Sequence, residues 1–426
     1  MILLLFVFMF ALMFLGMEIF ISIGVATMAY LLIFTDTPVT LVATSMIKGI
    51  DNYSLLAIPF FILAGELMNI SGMTLRLVEL SKYFIGKLRG GLAYSTVMLN
   101  LFASGISGSA PADCSAVSSV MLPAMRKEGY KPEFSAALNA ASSVLGPIIP
   151  PSIPLVFLAL MTNISVGKLF LGGIIPGLLI GFALMFTAYL LMRKQNMPVM
   201  TVDWTMSGFR KSVTGSIWAL IAPLVVIFGV ITGFVTLTEV AILISAYVLI
   251  IGMFVYKTIK VTQLFKVFRT TAVFSATILM LFCVVDIFTY IMASEGVGEL
   301  MKEWVTALGL GAVGFLLIVN IFFLLVGMPM DALPAMLIFV PVLLPIAMDL
   351  GIDPVHFGVV ITVNLMIGLV TPPVGSLLNI VSKIGRVPFN RVSVAVTPFT
   401  LSMIAVLFLI TYVPFLVTWI PNWLMG

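Results

Sequence analysis

Two stretches of the 426-residue chain gather oxygen ligands around glycine: Ser104-Gly-Ile-Ser-Gly-Ser-Ala-Pro-Ala-Asp113 and Gly327-Met-Pro-Met-Asp-Ala-Leu-Pro334. Two others set proline pairs beside glycine and hydroxyl side chains: Gly146-Pro-Ile-Ile-Pro-Pro-Ser152 and Gly368-Leu-Val-Thr-Pro-Pro-Val-Gly375. Glycine lets backbone carbonyls turn toward a common point, and serine or threonine hydroxyls add further ligands. A neutral all-oxygen cage suits a monovalent cation such as sodium, whereas magnesium and calcium usually take several carboxylates. The pattern predicts two cages, one from Ser104, Ser107 and Gly108 with Gly146, the other from Gly327 and Met328 with Gly368 and Thr371. Helices restarting after such breaks present free amide hydrogens, a setting for an anionic substrate between the cages. Asp113 and Asp331 close the first two stretches and are candidates for the substrate or cation region. The alternative for each is a helix N-cap.

Other chemistries find less support. One histidine, His356, excludes a histidine-rich metal centre, and Cys114 and Cys283 lie too far apart to suggest a disulfide framework or metal knuckle. Gly105-Ile-Ser107-Gly108 resembles the Gly-x-Ser-Gly of an intramembrane serine protease. Its serine needs a histidine within about 2.6–3.2 Å. His356 is expected at the outer mouth of a span, far from a midplane tip, so no enzyme is expected. The 28 methionines are scattered, which fits apolar packing better than a soft-metal path. Glu18 and Glu239 fall near span ends and are expected to snorkel or mark an interface. Glu66 and Asp286 fall deeper and are expected to make scaffold hydrogen bonds; a proton-driven antiporter would instead depend on Asp286.

The elements that position these residues follow from composition. The chain is 62% hydrophobic and 9% charged, with mean hydropathy +1.24. A soluble domain carries about 25% charged residues. A soluble enzyme, a nucleic-acid binder and a disordered chain are excluded, and the solvent is a lipid bilayer. The apolar runs do not alternate with period two, so they read as membrane-spanning helices. The formal charge of +4 sits mostly in short loops and bears on topology more than on an anionic partner. Met1–Leu15 lacks a basic n-region and a small-residue cleavage site, and is expected to remain as a span.

Glycine and proline recur at a spacing of 222 residues: Gly105 with Gly327, Gly146 with Gly368, Pro150-Pro151 with Pro372-Pro373, and Pro176 with Pro398. Short loops invert their charge between the halves. Segment 76–89 holds Arg76, Lys82, Lys87 and Arg89, its counterpart 298–311 only Lys302; 124–133 holds three cations and 346–355 none; 161–169 holds Lys168, and 383–391 holds three. Because cytoplasmic loops carry the excess of Lys and Arg, this predicts an inverted-topology repeat. Residues 92–123 and 312–347 are then re-entrant hairpins, and 134–162 and 355–382 are spans broken by their proline pairs. The remaining spans fall near 2–15, 18–34, 52–70, 170–192, 214–233, 238–256, 271–292 and 394–417, with basic linkers 193–211 and 257–269 inside and both termini outside. The division is 1–75 scaffold, 76–192 first transport region, 193–297 linker and scaffold, and 298–426 second transport region with the last helix.

These motifs, together with Asn52-Tyr-Ser-Leu-Leu-Ala-Ile-Pro-Phe-Phe-Ile-Leu-Ala-Gly-Glu66-Leu-Met, resemble the large membrane subunit of a tripartite ATP-independent periplasmic (TRAP) transporter along essentially the whole chain. The resemblance implies an all-α, elevator-type transporter of the bacterial inner membrane, in which a scaffold carries a domain holding both hairpins and both broken helices. It implies sodium-driven import of an organic acid, with sialic acids and C4-dicarboxylates among the family's substrates. A small four-helix membrane subunit is expected as a separate polypeptide, because the chain begins at the large subunit's first span. A periplasmic binding protein delivers the substrate. Carried over residue by residue, sodium involves Ser104, Ser107, Gly108 and Gly146, and separately Gly327, Gly368 and Thr371. The substrate region includes Ser109, Asp113, Ser142, Ser152, Asp331 and Asn364. The competing expectation is a stand-alone sodium- or proton-coupled carboxylate or anion carrier of the same design.

Overall fold

The computed structural model describes residues 2–35, 37–85, 90–193, 205–232, 235–309 and 311–426. Lys87 and Arg89 of the basic segment 76–89, most of the linker 193–211 and the end of the span expected at 214–233 lie outside these residues. Every regular element among the described residues is helical.

The chain runs α1 (Ile2–Phe14), α2 (Ile19–Phe34), α3 (Val39–Ile50), α4 (Ala57–Ile70), α5 (Met73–Ile85), α6 (Gly91–Ser107), α7 (Ala110–Lys127), α8 (Pro132–Ser143), α9 (Ile153–Thr162) and α10 (Val166–Arg193). It continues with α11 (Met206–Thr232), α12 (Leu237–Ile250), α13 (Val261–Ser294), α14 (Val297–Ala307), α15 (Ala312–Val326), α16 (Ala332–Asp349), α17 (Pro354–Gly368), α18 (Ser376–Gly385), α19 (Phe389–Tyr412) and α20 (Phe415–Met425). Among the described residues, seven helical stretches are long and apolar enough to cross a membrane. Large side chains such as Phe182, Phe186 and Phe254 are exposed on them, as a lipid-facing surface requires.

Local chemistry sets the ends. Pro132 and Pro354 open α8 and α17, where the missing amide hydrogen has no intrahelical partner to lose. Asp353 caps α17, accepting from the amides of Val355 at 2.8 Å and His356 at 3.0 Å. Thr236 does the same work for α12, accepting from the Glu239 amide at 3.3 Å, while the Glu239 carboxylate accepts from the Thr236 amide at 2.7 Å in a reciprocal capping box.

The sequence expectations need correction in several places. Helix α3 fills a stretch with no expected element, α5 and α14 occupy segments taken as loops, and α13 begins at Val261 within the expected basic linker. Helices α5 and α14 are short and amphipathic: Leu77, Leu80 and Val305 are buried, whereas Glu79, Lys302 and Glu303 face outward. The boundary drawn at residue 75 falls inside α5. Lys302 on α14 meets Asp349 at the end of α16 at 2.6 Å, and that hydrogen bond holds its ammonium above the usual range.

Two groups of helices emerge from the packing. In one, α13 holds α2, α3 and α4, while α12 packs on α4 and α11. In the other, α6, α7 and α8 pack mutually and α18 lies against α7 and α8, while α9 lies against α16 and α17. The two halves of the chain therefore interlock through the pieces on either side of their breaks. Helices α10 and α19 pack beside this second group. The groups meet where Gly65 of α4 faces the backbone of Ser107 and where Gly105 of α6 faces Pro223 of α11.

Candidate functional site

Helix α6 stops at Gly108, whose φ of +61° turns the chain into α7. A side chain there would lie 2.6 Å from the Pro151 carbonyl, so only glycine brings this tip so close to the break between α8 and α9. Ser152 restarts α9 by accepting from the Leu155 amide at 3.2 Å, and its hydroxyl donates to the Pro147 carbonyl across the break. The peptide bonds Pro150-Pro151 and Pro372-Pro373 are both cis.

Asp113 sits one turn into α7 at 2% exposure, and Ser109 rather than Asp113 holds the N-cap position. The Ser107 hydroxyl donates to Asp113 Oδ1 at 2.5 Å and accepts from the Ser109 amide at 3.2 Å. Asp113 Oδ2 is buried without a hydrogen-bond partner and lies where a side chain on Gly146 would be. A buried, unpartnered carboxylate oxygen is costly, and a cation relieves it. Ser107, Asp113 and Gly146 thus form one compact oxygen cluster, while Ser104 turns its hydroxyl back to the Leu101 carbonyl at 2.6 Å.

The second cluster differs. Gly327 and Gly368 bring α15 and α17 into backbone contact, so that a side chain on Gly368 would lie 2.5 Å from the Gly327 carbonyl carbon. Thr371 donates to the Ile367 carbonyl at 2.8 Å. No carboxylate is buried at this cluster among the described residues, because Asp331 is exposed and makes no cap hydrogen bond.

Behind each cluster lies an amide pair whose members, Asn364 apart, the sequence reading missed, although a buried asparagine in an apolar run was the available signal. Asn100 on α6 donates to Ser142 Oγ at 2.7 Å and Asn139 Oδ1 at 3.1 Å on α8. Asn320 on α15 accepts from Asn364 on α17 at 2.9 Å and donates to Thr411 at 3.0 Å.

A cavity of about 410 Å³ opens between the two tips. Its lining includes Gly108–Pro111 at the start of α7, Asp331–Pro334 at the start of α16, Pro147, Met366 and Leu369 beside the breaks, Thr277 on α13 and Glu18 before α2. Of the residues assigned to substrate, Ser109 and Asp331 line it. Asp113, Ser142, Ser152 and Asn364 do not; they are spent on the interior contacts above. Glu18 was expected to snorkel or mark an interface, and it lines the cavity opposite the tips of α7 and α16. Asp286 was expected to be deep and is exposed, while Glu66 is half-buried. His356 was expected as a helix-end residue and lies in the first turn of α17, where it is 1% exposed and bonded to the Ile410 carbonyl at 2.9 Å. The Ser107 hydroxyl is engaged by Asp113, so the two do not form a Ser–His pair.

Interrupted helices meeting around a polar-tipped cavity, inside a many-span helical protein, define the class of membrane carriers. The fold is similar to the YdaH transporter of Alcanivorax borkumensis, with TM-score 0.64 at 15% identity over 88% of each chain. The family model described as "Tripartite ATP-independent periplasmic transporter, DctM component" matches residues 6–416. The chain is 35% identical to the sialic acid TRAP transporter large permease SiaM of Vibrio cholerae, over 97% of each protein. It is 37% identical to the C4-dicarboxylate TRAP transporter large permease DctM of Rhodobacter capsulatus, again over 97% of each. The chain belongs to the DctM family of TRAP transporter large permeases, multi-pass membrane proteins that are transporters rather than enzymes.

Proposed function

We propose that this chain is the large membrane subunit of a sodium-driven importer of an organic acid, working as an elevator. The observation that carries the sodium assignment is Asp113 Oδ2, buried and unpartnered beside Ser107 and Gly146. That placement moves Asp113 from the substrate set to the first sodium cage, with Ser104, Ser107, Gly108 and Gly146. The second cage comprises Gly327, Gly368 and Thr371. Ser109 and Asp331 face the substrate, whereas Ser142, Ser152 and Asn364 position the clusters.

Sodium at both cages orders the tips of two re-entrant hairpins, α6–α7 and α15–α16, around the substrate. The group containing α6–α10 and α15–α19 then moves as a unit against α1–α4 and α11–α13. The inverted loop charges and the paired breaks support the inverted repeat behind this motion and put both termini outside. Substrate arrives from a periplasmic binding protein, and a small four-helix subunit completes the membrane complex. Its class is a sialic acid or a C4-dicarboxylate, supported by the relatives above.

The test is uptake of radiolabelled N-acetylneuraminate and succinate into proteoliposomes holding this chain and its small partner. Uptake requiring both an inward sodium gradient and the binding protein is expected. Uptake without binding protein would favour the stand-alone carrier, and sodium independence would remove the cages.

A further inference from the structure

The cavity's charge is unexpected for a site that takes an anion. Two carboxylates, Glu18 and Asp331, line it, and no Lys, Arg or His does so among the described residues. Neither carboxylate caps the helix it precedes, so neither is spent on a helix end. The cavity is also asymmetric. The α7 end presents Ser109 at the N-cap, its hydroxyl not used for capping, and its one first-turn carboxylate, Asp113, is buried behind the tip and does not line the cavity. The α16 end has Asp331 at the equivalent place, and Glu18 adds a second negative charge from the opposing helix group.

We propose that this cavity selects a substrate with a single carboxylate and a donor-rich far end (hydroxyl, amide N–H or ammonium), and that Glu18 is a specificity-determining residue that rejects a second anionic group. The inference rests on the transport reading above and narrows its substrate class.

The physical argument has two parts. A carboxylate is best placed at the α7 terminus, where no carboxylate lines the cavity and where free amide hydrogens and the helix dipole favour it. The opposite end of a bound molecule then meets Glu18 and Asp331, which accept hydrogen bonds and attract positive charge. A second carboxylate there would face two like charges, with no cationic side chain lining the cavity among the described residues to neutralise it. Discrimination of this kind needs a repulsive element, and Glu18 supplies it.

Binding is measured first, because it does not depend on coupling. The purified chain in detergent with sodium is heated with N-acetylneuraminate, gluconate or 4-aminobutanoate, and with succinate or its monoamide succinamate. Half-maximal protection is expected at concentrations at least tenfold lower for the best single carboxylate than for succinate, with succinamate ahead of succinate. Glu18→Gln is expected to shift the succinate-to-succinamate preference at least tenfold toward succinate, whereas Glu18→Asp keeps the native order. Preference for succinate by the native chain, an unchanged ratio in Glu18→Gln, or no protection by any single carboxylate would each overturn the proposal. Intact selectivity without sodium-dependent uptake would instead sink the transport reading.

Discussion

At Asp113 a single atom decides the chemistry. Its Oδ1 is satisfied by Ser107 and its Oδ2 by nothing among the described residues. A methyl group at Gly146 would occupy the space beside that oxygen. Gly146→Ala is therefore expected to raise the sodium concentration for half-maximal transport at least tenfold while the protein still reaches the membrane. Asp113→Asn is expected to raise it further than Thr371→Ala, since only the first removes a formal charge from a buried cage. Uptake titrated with sodium distinguishes these outcomes, and identical sodium curves for Asp113→Asn and the native chain would discard the assignment. The serines, glycines and both aspartates of the tips were legible as candidate oxygen ligands from their types and spacing. Which ones share a cluster was not, because Asp113 and Gly146 meet only once α7 and α8 pack.

Among the elements, the helix breaks are held by contacts that tolerate no added volume or lost partner. Gly368 touches Gly327 backbone to backbone. Forcing side-chain volume into such a contact costs about 1–3 kcal/mol. Gly368→Ala is expected to lower the thermal midpoint in detergent and to weaken the protection that sodium gives. Asn320→Ala strips Asn364 of its side-chain acceptor and Thr411 of its donor. A cost of about 1–2 kcal/mol is expected, read as a lower thermal midpoint. The long apolar helices were evident from hydropathy alone. Helices α3, α5 and α14 were not, because their polar faces dilute any window long enough to detect a span. Amphipathic periodicity over 11–13 residues was the available signal, and it needs a partner surface to become a helix.

For the whole molecule, the decisive question is whether the two helix groups move past one another. Gly105 of α6 and Pro223 of α11 lie across their boundary, with a Cβ built on Gly105 3.0 Å from the Pro223 Cβ. That spacing is slightly below the Cβ separation of about 3.5–4.5 Å typical of a disulfide, so a small shift allows one to form. In a chain whose buried Cys114 and Cys283 are replaced by alanine, Gly105→Cys with Pro223→Cys is expected to arrest uptake on oxidation and to recover on reduction. Full uptake by the oxidised pair would rule out movement of α6 against α11. On the sodium coupling proposed above, dissipating the sodium gradient is expected to abolish accumulation without altering binding.

Some of this was settled before any folding is considered. A chain with so few charges cannot be wetted, so its helices lie in lipid, and proline pairs set 222 residues apart interrupt them at related places in the two halves. Hydropathy and proline stereochemistry act locally, which is why they can be read along the chain. The fates of Glu18, Asp113, Ser142 and Asn364 could not be read that way. Each looked like a polar residue near a span end or a break, and only tertiary packing made one a cavity wall, one an unpartnered carboxylate and two the partners of buried asparagines. Hydrogen bonds and like-charge repulsion act over a few ångströms between residues distant in sequence, so their pattern comes into being only when the helices meet.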